Sequence, residues 1–330
     1  MARLESMAQQ AGPRVASPAG DPLRVVYITS RGHSGSTLLD LLISGHSAIT
    51  SVGELKMLSV TDNTRKLCSC HGLEPEVCPY WSCVEQELQA RAGLSFATLK
   101  LDSVDPLILH QHNLALYGSV AAVSGCRVIV DSSKSLPRLR DLLQGVELYG
   151  GYQLIPIHLL RGPLGLVHSY VKNGAIRNRR DFALVCYNYA ANFFRTQSLL
   201  VGRPHLFVRY EQLARSPRRQ LQRLMAALGL AFEDDQLDWG RGPRRNIHGN
   251  DMRFRAGGPI RLDRSWRRGL SWRQQLAVLW LTLPVRLSWL GERPCRRVME
   301  TWRRRFKPAR QSPGSVPSPL AAVDPPGDER

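Results

Sequence analysis

The sequence predicts an α/β fold, a central parallel sheet flanked by helices, and three observations predict it. Short β-branched apolar runs alternate with helical patterns along the chain. That alternation over this length suits a parallel sheet covered on both faces. The first apolar run, Leu23–Thr29, also leads directly into a turn rich in glycine and hydroxyl residues and then into a helical stretch. In such sheets ligands sit beyond the carboxyl ends of the strands, where loops enter helices.

In chain order, strands are expected at Leu23–Thr29, Arg127–Val130, Tyr152–Leu160 and His205–Val208. Helices are expected at Ser36–Ser44, Pro137–Leu143, Pro163–Lys172, Asp181–Leu200 and Pro217–Leu228. Ser216-Pro217 starts the last of these, with serine at the cap and proline in the first turn. Residues 1–21 mix Gly, Pro, Ser and Gln without periodicity, and residues 307–330 are Pro-rich and polar. Both ends are expected to be disordered, leaving one domain over residues 22–306 with a Cys-rich insert at about 66–84. No internal repeat is visible.

The chain has 330 residues, 43% hydrophobic and 22% charged, the composition of an ordinary globular protein. The apolar stretch Leu276–Leu290 is broken by Pro284 and Arg286 and is too short for a membrane span. The first 21 residues do not resemble a signal peptide, so a cytoplasmic location is expected. Lys and Arg number 45 against 27 Asp and Glu, a net charge of +18. Between Arg241 and Arg310 stand nineteen basic and four acidic residues. Such a field concentrates anions; the plainer reading is a solvated basic face.

Seven cysteines are too few for a disulfide scaffold in a chain of this size. Four cluster as Cys68, Cys70, Cys78 and Cys83, with His71 alongside. Their spacing admits a structural zinc site or free thiols under a loop. Cys126, Cys186 and Cys295 lie in apolar or helical contexts and are expected in the core.

The turn Ser30-Arg31-Gly32-His33-Ser34-Gly35-Ser36-Thr37 carries the strongest signal. Its glycines let consecutive backbone N–H groups turn inward, and the following helix start adds partial positive charge. Ser34, Ser36 and Thr37 offer further donors, and Arg31 or His33 offers charge. Only two residues separate Gly32 from Gly35 and no lysine follows, so the turn is not a Walker A loop.

This turn resembles the 5′-phosphosulfate loop of the sulfotransferases that use 3′-phosphoadenosine 5′-phosphosulfate (PAPS). Later segments extend the resemblance in order over roughly residues 23–292. Leu160-Arg161-Gly162-Pro163 with Ser169 resembles that family's 3′-phosphate motif. Phe207-Val208-Arg209-Tyr210-Glu211-Gln212-Leu213 is similar to its Arg-Tyr-Glu-Asp-Leu stretch. Asp131-Ser132-Ser133-Lys134, and Gly249-Asn250 through Met252-Arg253-Phe254 to Trp266-Arg267, look like bacterial members. The resemblance implies a P-loop-like, nucleotide-kinase-related domain that transfers a sulfo group from PAPS to a hydroxyl or amine without a metal. The co-substrate then leaves as 3′-phosphoadenosine 5′-phosphate (PAP).

By that resemblance the donor is held by residues 31–37, with Arg161 and Ser169 on its 3′-phosphate. An Arg-rich lid over residues 248–268 adds Arg253 and Arg255 as contacts and Trp266 as a stacking partner. The family often places Lys or Arg where this chain has His33, so Arg31 or Lys134 stands as an alternative cation for the leaving oxygen. Glu54 is the expected base, with His110 and His112 as alternatives. The acceptor is expected to be a small molecule, glycan or lipid, bound by parts of 55–120 and 174–200, and nucleic acid is not expected. A P-loop-like kinase, or a non-catalytic nucleotide- or nucleic-acid-binding protein, is the competing class.

Overall fold

The computed structural model describes residues 22–60, 66–242 and 244–291. Cys295 and the two ends expected to be disordered lie outside the described residues.

Five strands form one all-parallel sheet in the order β2-β3-β1-β4-β5. They are β1 (Arg24–Thr29), β2 (Ile49–Gly53), β3 (Val128–Lys134), β4 (Gln153–Leu160) and β5 (Leu206–Arg209). This is the expected class. β1 lies at the centre between β3 and β4, in register from Arg24 opposite Val128 and Gln153. The chain leaves β1 towards one side of the sheet and returns for the other, so the carboxyl end of β1 is the topological switch point.

Helices cover both faces because the strand interiors are apolar on both. The connection after β1 is α1 (Ser36–Ser44); α2 (Pro79–Ala92) and α3 (Pro106–Ser124) follow β2. Then come α4 (Leu136–Tyr149), α5 (Pro163–Lys172), α6 (Arg179–Leu200), α7 (Tyr210–Arg215) and α8 (Pro217–Ala227). Val25, Tyr27 and Ile129 point into one core with Trp81, Leu116 and Leu139. Val26, Ile28 and Val130 point into the opposite core with Leu39, Leu42 and Leu224. A third cluster joins α5 and α6 to Val278 and Val285 of the closing helices α10 (Trp272–Leu281) and α11 (Leu283–Gly291), which follow a single turn, α9 (Trp266–Gly269).

Strand β2 was absent from the expected set because Ile49-Thr50-Ser51-Val52-Gly53 mixes hydroxyl residues with apolar ones, although every residue is buried. β3 runs four residues past Val130, through Asp131-Ser132-Ser133-Lys134, because buried side-chain partners satisfy its polar groups. No described helix is long and apolar enough to cross a membrane.

Candidate active site

The turn after β1 is shaped by two residues in left-handed backbone. His33 (φ 64°) and Gly35 (φ 90°) both adopt left-handed backbone, which aims successive N–H groups into one concavity. Gly35 is obligatory on two counts. Its φ excludes most side chains, and an added Cβ would stand 2.5 Å from the Tyr210 ring. Gly35 caps α1 with no side chain over the helix start, so the partial positive charge of that end is not offset by a capping side chain. Ser34 and Ser36 are buried, and Arg31 presents a buried Nε that no group accepts from.

Beside the turn, neighbouring strands bring a carboxylate and an ammonium together. Glu54 follows the end of β2 and Lys134 ends β3, and Lys134 Nζ lies 2.5 Å from Glu54 Oε1. Lys134 holds φ 61°, an unfavourable backbone for a long side chain. What imposes it is the preceding strand. Asp131, fully buried, accepts from Tyr117 Oη at 2.7 Å and from the Ser133 amide at 2.9 Å, and pairs with Arg138 at 3.2 Å. Arg138 in turn donates to the Leu101 carbonyl (3.1 Å) and Asn113 (2.7 Å). A buried ion pair tied to this many groups fixes geometry more than it adds stability.

Ser132 of the same strand donates to Asp40 of α1 at 2.5 Å, and Asn246 donates to Asp40 at 3.2 Å and to Ser51 at 2.8 Å. Burial raises the Asp40 pKa to about 6, against the hydrogen bonds from Ser132, Ser51 and Asn246.

The segment 246–254 crosses over these groups. Ile247 bridges to Gly53, its carbonyl accepting from the Glu54 amide at 2.9 Å and its amide donating to Val52 at 3.0 Å. His248 (φ 55°) and Gly249 (φ 108°) then turn the chain. A Cβ at Gly249 would lie 3.5 Å from Glu54 Oε1, 3.8 Å from Arg253 Nη1 and 3.9 Å from Thr37 Oγ1. Three groups of different chemistry therefore converge on one point. Arg253 is only 4% exposed, yet its Nε and Nη1 are buried without a hydrogen-bond partner. Burial lowers its pKa, while Asp251, Cys68 and Glu54 oppose that.

On the other side of the turn stands Arg161, directly after β4. It is engaged with the protein itself. Nη1 donates to the His33 carbonyl at 2.8 Å, Nη2 donates to Asp263 at 2.6 Å, and the guanidinium lies over the Tyr210 ring at 4.7 Å. Ser169, one helix further, is half-buried and shares no hydrogen bond with Arg161 among the described residues. Glu211 accepts from the Gly162 amide at 2.8 Å, so the Tyr210-Glu211 pair braces both the turn and the start of α5. His33 is held below its ordinary pKa by burial first, then by Lys134, Arg161 and Arg31. It is therefore neutral at pH 7, and the cation nearest Glu54 is Lys134 rather than His33.

A cleft of about 870 Å³ opens from Ser30, Arg31 and Gly32 past Glu54 and Lys134 to Asn188, Asn192 and Arg195 of α6. A smaller hollow of about 230 Å³ lies by Gly165, Asp263, Arg264 and Trp266. Neither alternative histidine lines the large cleft. His110 packs against Tyr149 and Tyr152, at the amino end of β4, and His112 accepts from the Lys100 amide at 3.0 Å. Of the four clustered cysteines, Cys68, Cys70 and Cys78 come together with all three sulfurs within 4.8 Å, and Cys83 is exposed outside that group.

Four of these participants were not singled out from sequence. Asp40 interrupts Leu38-Leu39-Asp40-Leu41-Leu42, a polar residue inside an apolar run, and that was the available signal. Asp263 is one of four acids among nineteen basic residues, which alone does not reveal its partner. Asn246 and Ile247 carried no local signal, since Asn246 acts through its side-chain amide on Asp40 and Ser51 and Ile247 through backbone pairing to the end of β2.

No family model matches the sequence, and no curated protein does. Two solved structures are similar in fold. One is a sulfotransferase domain from the olefin synthase of Synechococcus PCC 7002, 20% identical with a TM-score of 0.49, over 83% of this chain and 98% of that one. The other is a sulfotransferase domain from the curacin biosynthetic pathway, 18% identical with a TM-score of 0.47, over 79% of this chain and 97% of that one. Likeness of this degree is a matter of overall fold.

Proposed function

We propose that this chain transfers a sulfo group from PAPS to a hydroxyl or amine of an acceptor bound in the large cleft. The observation that carries the reading is the convergence at Gly249 of a carboxylate, a buried guanidinium and the hydroxyl of α1's first turn. An anion on the 30–37 turn meets the N–H groups of α1, Thr37 and Arg253. A buried arginine with two unaccepted N–H atoms is costly unless such an anion is its partner.

When bound, PAPS supplies the sulfo group and a phosphate leaving group. The chain's own residues position the reactants and neutralise charge, which is most of what a loose in-line transfer needs. Glu54 takes the acceptor's proton as the new O–S or N–S bond forms. The bridging S–O bond breaks with its electron pair staying on the phosphate, and Lys134 and Arg253 face that developing charge. In the structure Lys134 is paired with Glu54; an acceptor entering between them separates the pair and frees both.

Arg161 already donates through Nη2 to Asp263, so a second phosphate of the donor at that edge must compete with Asp263. Asp263 is held below its ordinary pKa: burial raises it, but Ser265 and Arg161 more than offset that. At neutral pH it competes with a phosphate for one guanidinium.

The test is transfer of labelled sulfate from PAPS to glycan, lipid and phenol pools, with Glu54→Gln alongside. Loss of turnover with PAP affinity retained supports the reading. Full turnover in Glu54→Gln removes Glu54 as the base. Binding of ATP as tight as PAP turns the reading towards a kinase.

A further inference from the structure

The cysteine group under segment 246–254 takes no part in the chemistry above. Cys68 starts, and Cys70 lies inside, a tight turn in which the Gly72 amide donates to the Cys68 carbonyl at 2.9 Å. Cys78 caps the start of α2. Their sulfurs are 2.8 Å (Cys68 to Cys70) and 3.1 Å (Cys70 to Cys78) apart, too long for the ~2.05 Å of a disulfide bond. Three sulfurs in mutual contact are also one more than a disulfide uses. Zinc–thiolate bonds of about 2.3 Å in tetrahedral geometry hold sulfurs roughly 3.8 Å apart. The observed spacings, with all three sulfurs inside 4.8 Å, reach that arrangement by small side-chain rotations.

We propose that Cys68, Cys70 and Cys78 bind one zinc ion as a structural clip. Thiolates are the ligands zinc prefers, and three thiols lose their protons on binding. Cys78 stands where a helix start favours its thiolate. Cys83, on the exposed side of α2, is not a ligand.

The clip's place in the fold explains what it would do. Cys68 forms an antiparallel bridge with Ile247, and the Ser69 amide donates to the Asn246 carbonyl at 3.0 Å. Trp81, three residues beyond Cys78, donates to the Arg245 carbonyl at 3.1 Å. Ile247 is in turn bridged to Gly53 at the edge of β2. Residues 245–247 are thus gripped between the cysteine turn and the sheet, immediately before the residues that place Gly249 and Arg253 over α1. A metal at the three sulfurs locks the outer jaw of that grip.

Elemental analysis of the full chain, purified without added metal, tests this. The expected content is about one zinc per chain in the wild type and in Cys83→Ser, falling below about a tenth in Cys70→Ser. Because Cys70→Ser can simply misfold, the wild-type protein is also treated with a mercurial and the released zinc read with a chromogenic chelator. Release of about one equivalent, with faster proteolysis at residues 245–255 afterwards, supports the clip. Wild-type protein without zinc, or with two of these cysteines oxidised to a disulfide by mass after alkylation, overturns it. Loss of zinc in Cys83→Ser overturns the three-thiolate assignment.

Discussion

Arg161 and Arg253 are both buried arginines beside the same turn, and they differ in what they hold. Arg161 is satisfied by protein: a loop carbonyl, the Asp263 carboxylate and the Tyr210 ring. Arg253 has an aromatic ring against it, Phe254 at 4.5 Å, and two buried N–H atoms without acceptors. Arg161 serves as a brace; the proposed role of Arg253 is to receive an anion. The difference teaches that the clearer motif and the more telling side chain are not the same residue here. Arg161 stands in the segment that resembles the 3′-phosphate motif, whereas Arg253, expected with Arg255 as a donor contact, stands among nineteen basic residues.

Breaking Arg253 is the sharpest way to challenge this contrast. Arg253→Met removes two charge-assisted hydrogen bonds to the anion, which at roughly 1.5–3 kcal/mol each corresponds to a loss of about 100-fold or more in PAP affinity. Without ligand the same variant removes buried unpaired donors, so its melting temperature in the absence of nucleotide should rise. A fall in that melting temperature would mean that Arg253 is a brace after all.

Arg161→Ala should have the opposite effect on stability. It unties the His33 carbonyl and strands Asp263, so stability falls by about 1–3 kcal/mol in chemical denaturation, alongside weaker PAP binding. Asp263→Asn sharpens the contrast further. It leaves the guanidinium free for phosphate, and PAP affinity should rise several-fold by calorimetry. Unchanged affinity would show that Asp263 does not compete.

Asp40 provides a smaller effect, in the support beneath both regions. Its pKa, raised from 3.8 to about 6, means that the folded state favours the protonated form. Stability is therefore greatest below the ordinary carboxylate range and is lost as pH rises through about 6. The step corresponds to about 3 kcal/mol at most, from roughly 1.4 kcal/mol per pKa unit. Asp40→Asn should flatten that slope in denaturation measured between pH 4 and 6.5. A slope of the same size in the variant would assign it to another group.

Much of the fold was legible in sequence because buried parallel strands announce themselves. Val25 on one face and Val26 and Ile28 on the other are all apolar. The turn at 30–37 was legible for a similar reason: its glycines and hydroxyls are local, and its conformation depends on them. Strand β2 and the polar end of β3 were not, since Ser51 and Ser132 are made compatible with burial by Asn246 and Asp40, which lie far away in sequence, and Asp131 by Arg138 on the next helix. The engagement of Arg161 was hidden likewise, because Asp263 lies 102 residues on. Glu54 and Lys134 were each singled out, yet their pairing depends on β2 and β3 being neighbours, which no local pattern states.

The most direct measurement is calorimetric titration of PAP, with ATP in parallel, into the wild-type chain and Arg253→Met. The account predicts that the wild type binds PAP and not ATP, and that Arg253→Met binds PAP at least about 100-fold more weakly while remaining folded. Equal PAP affinity in the two proteins, or ATP bound as tightly as PAP, would contradict it.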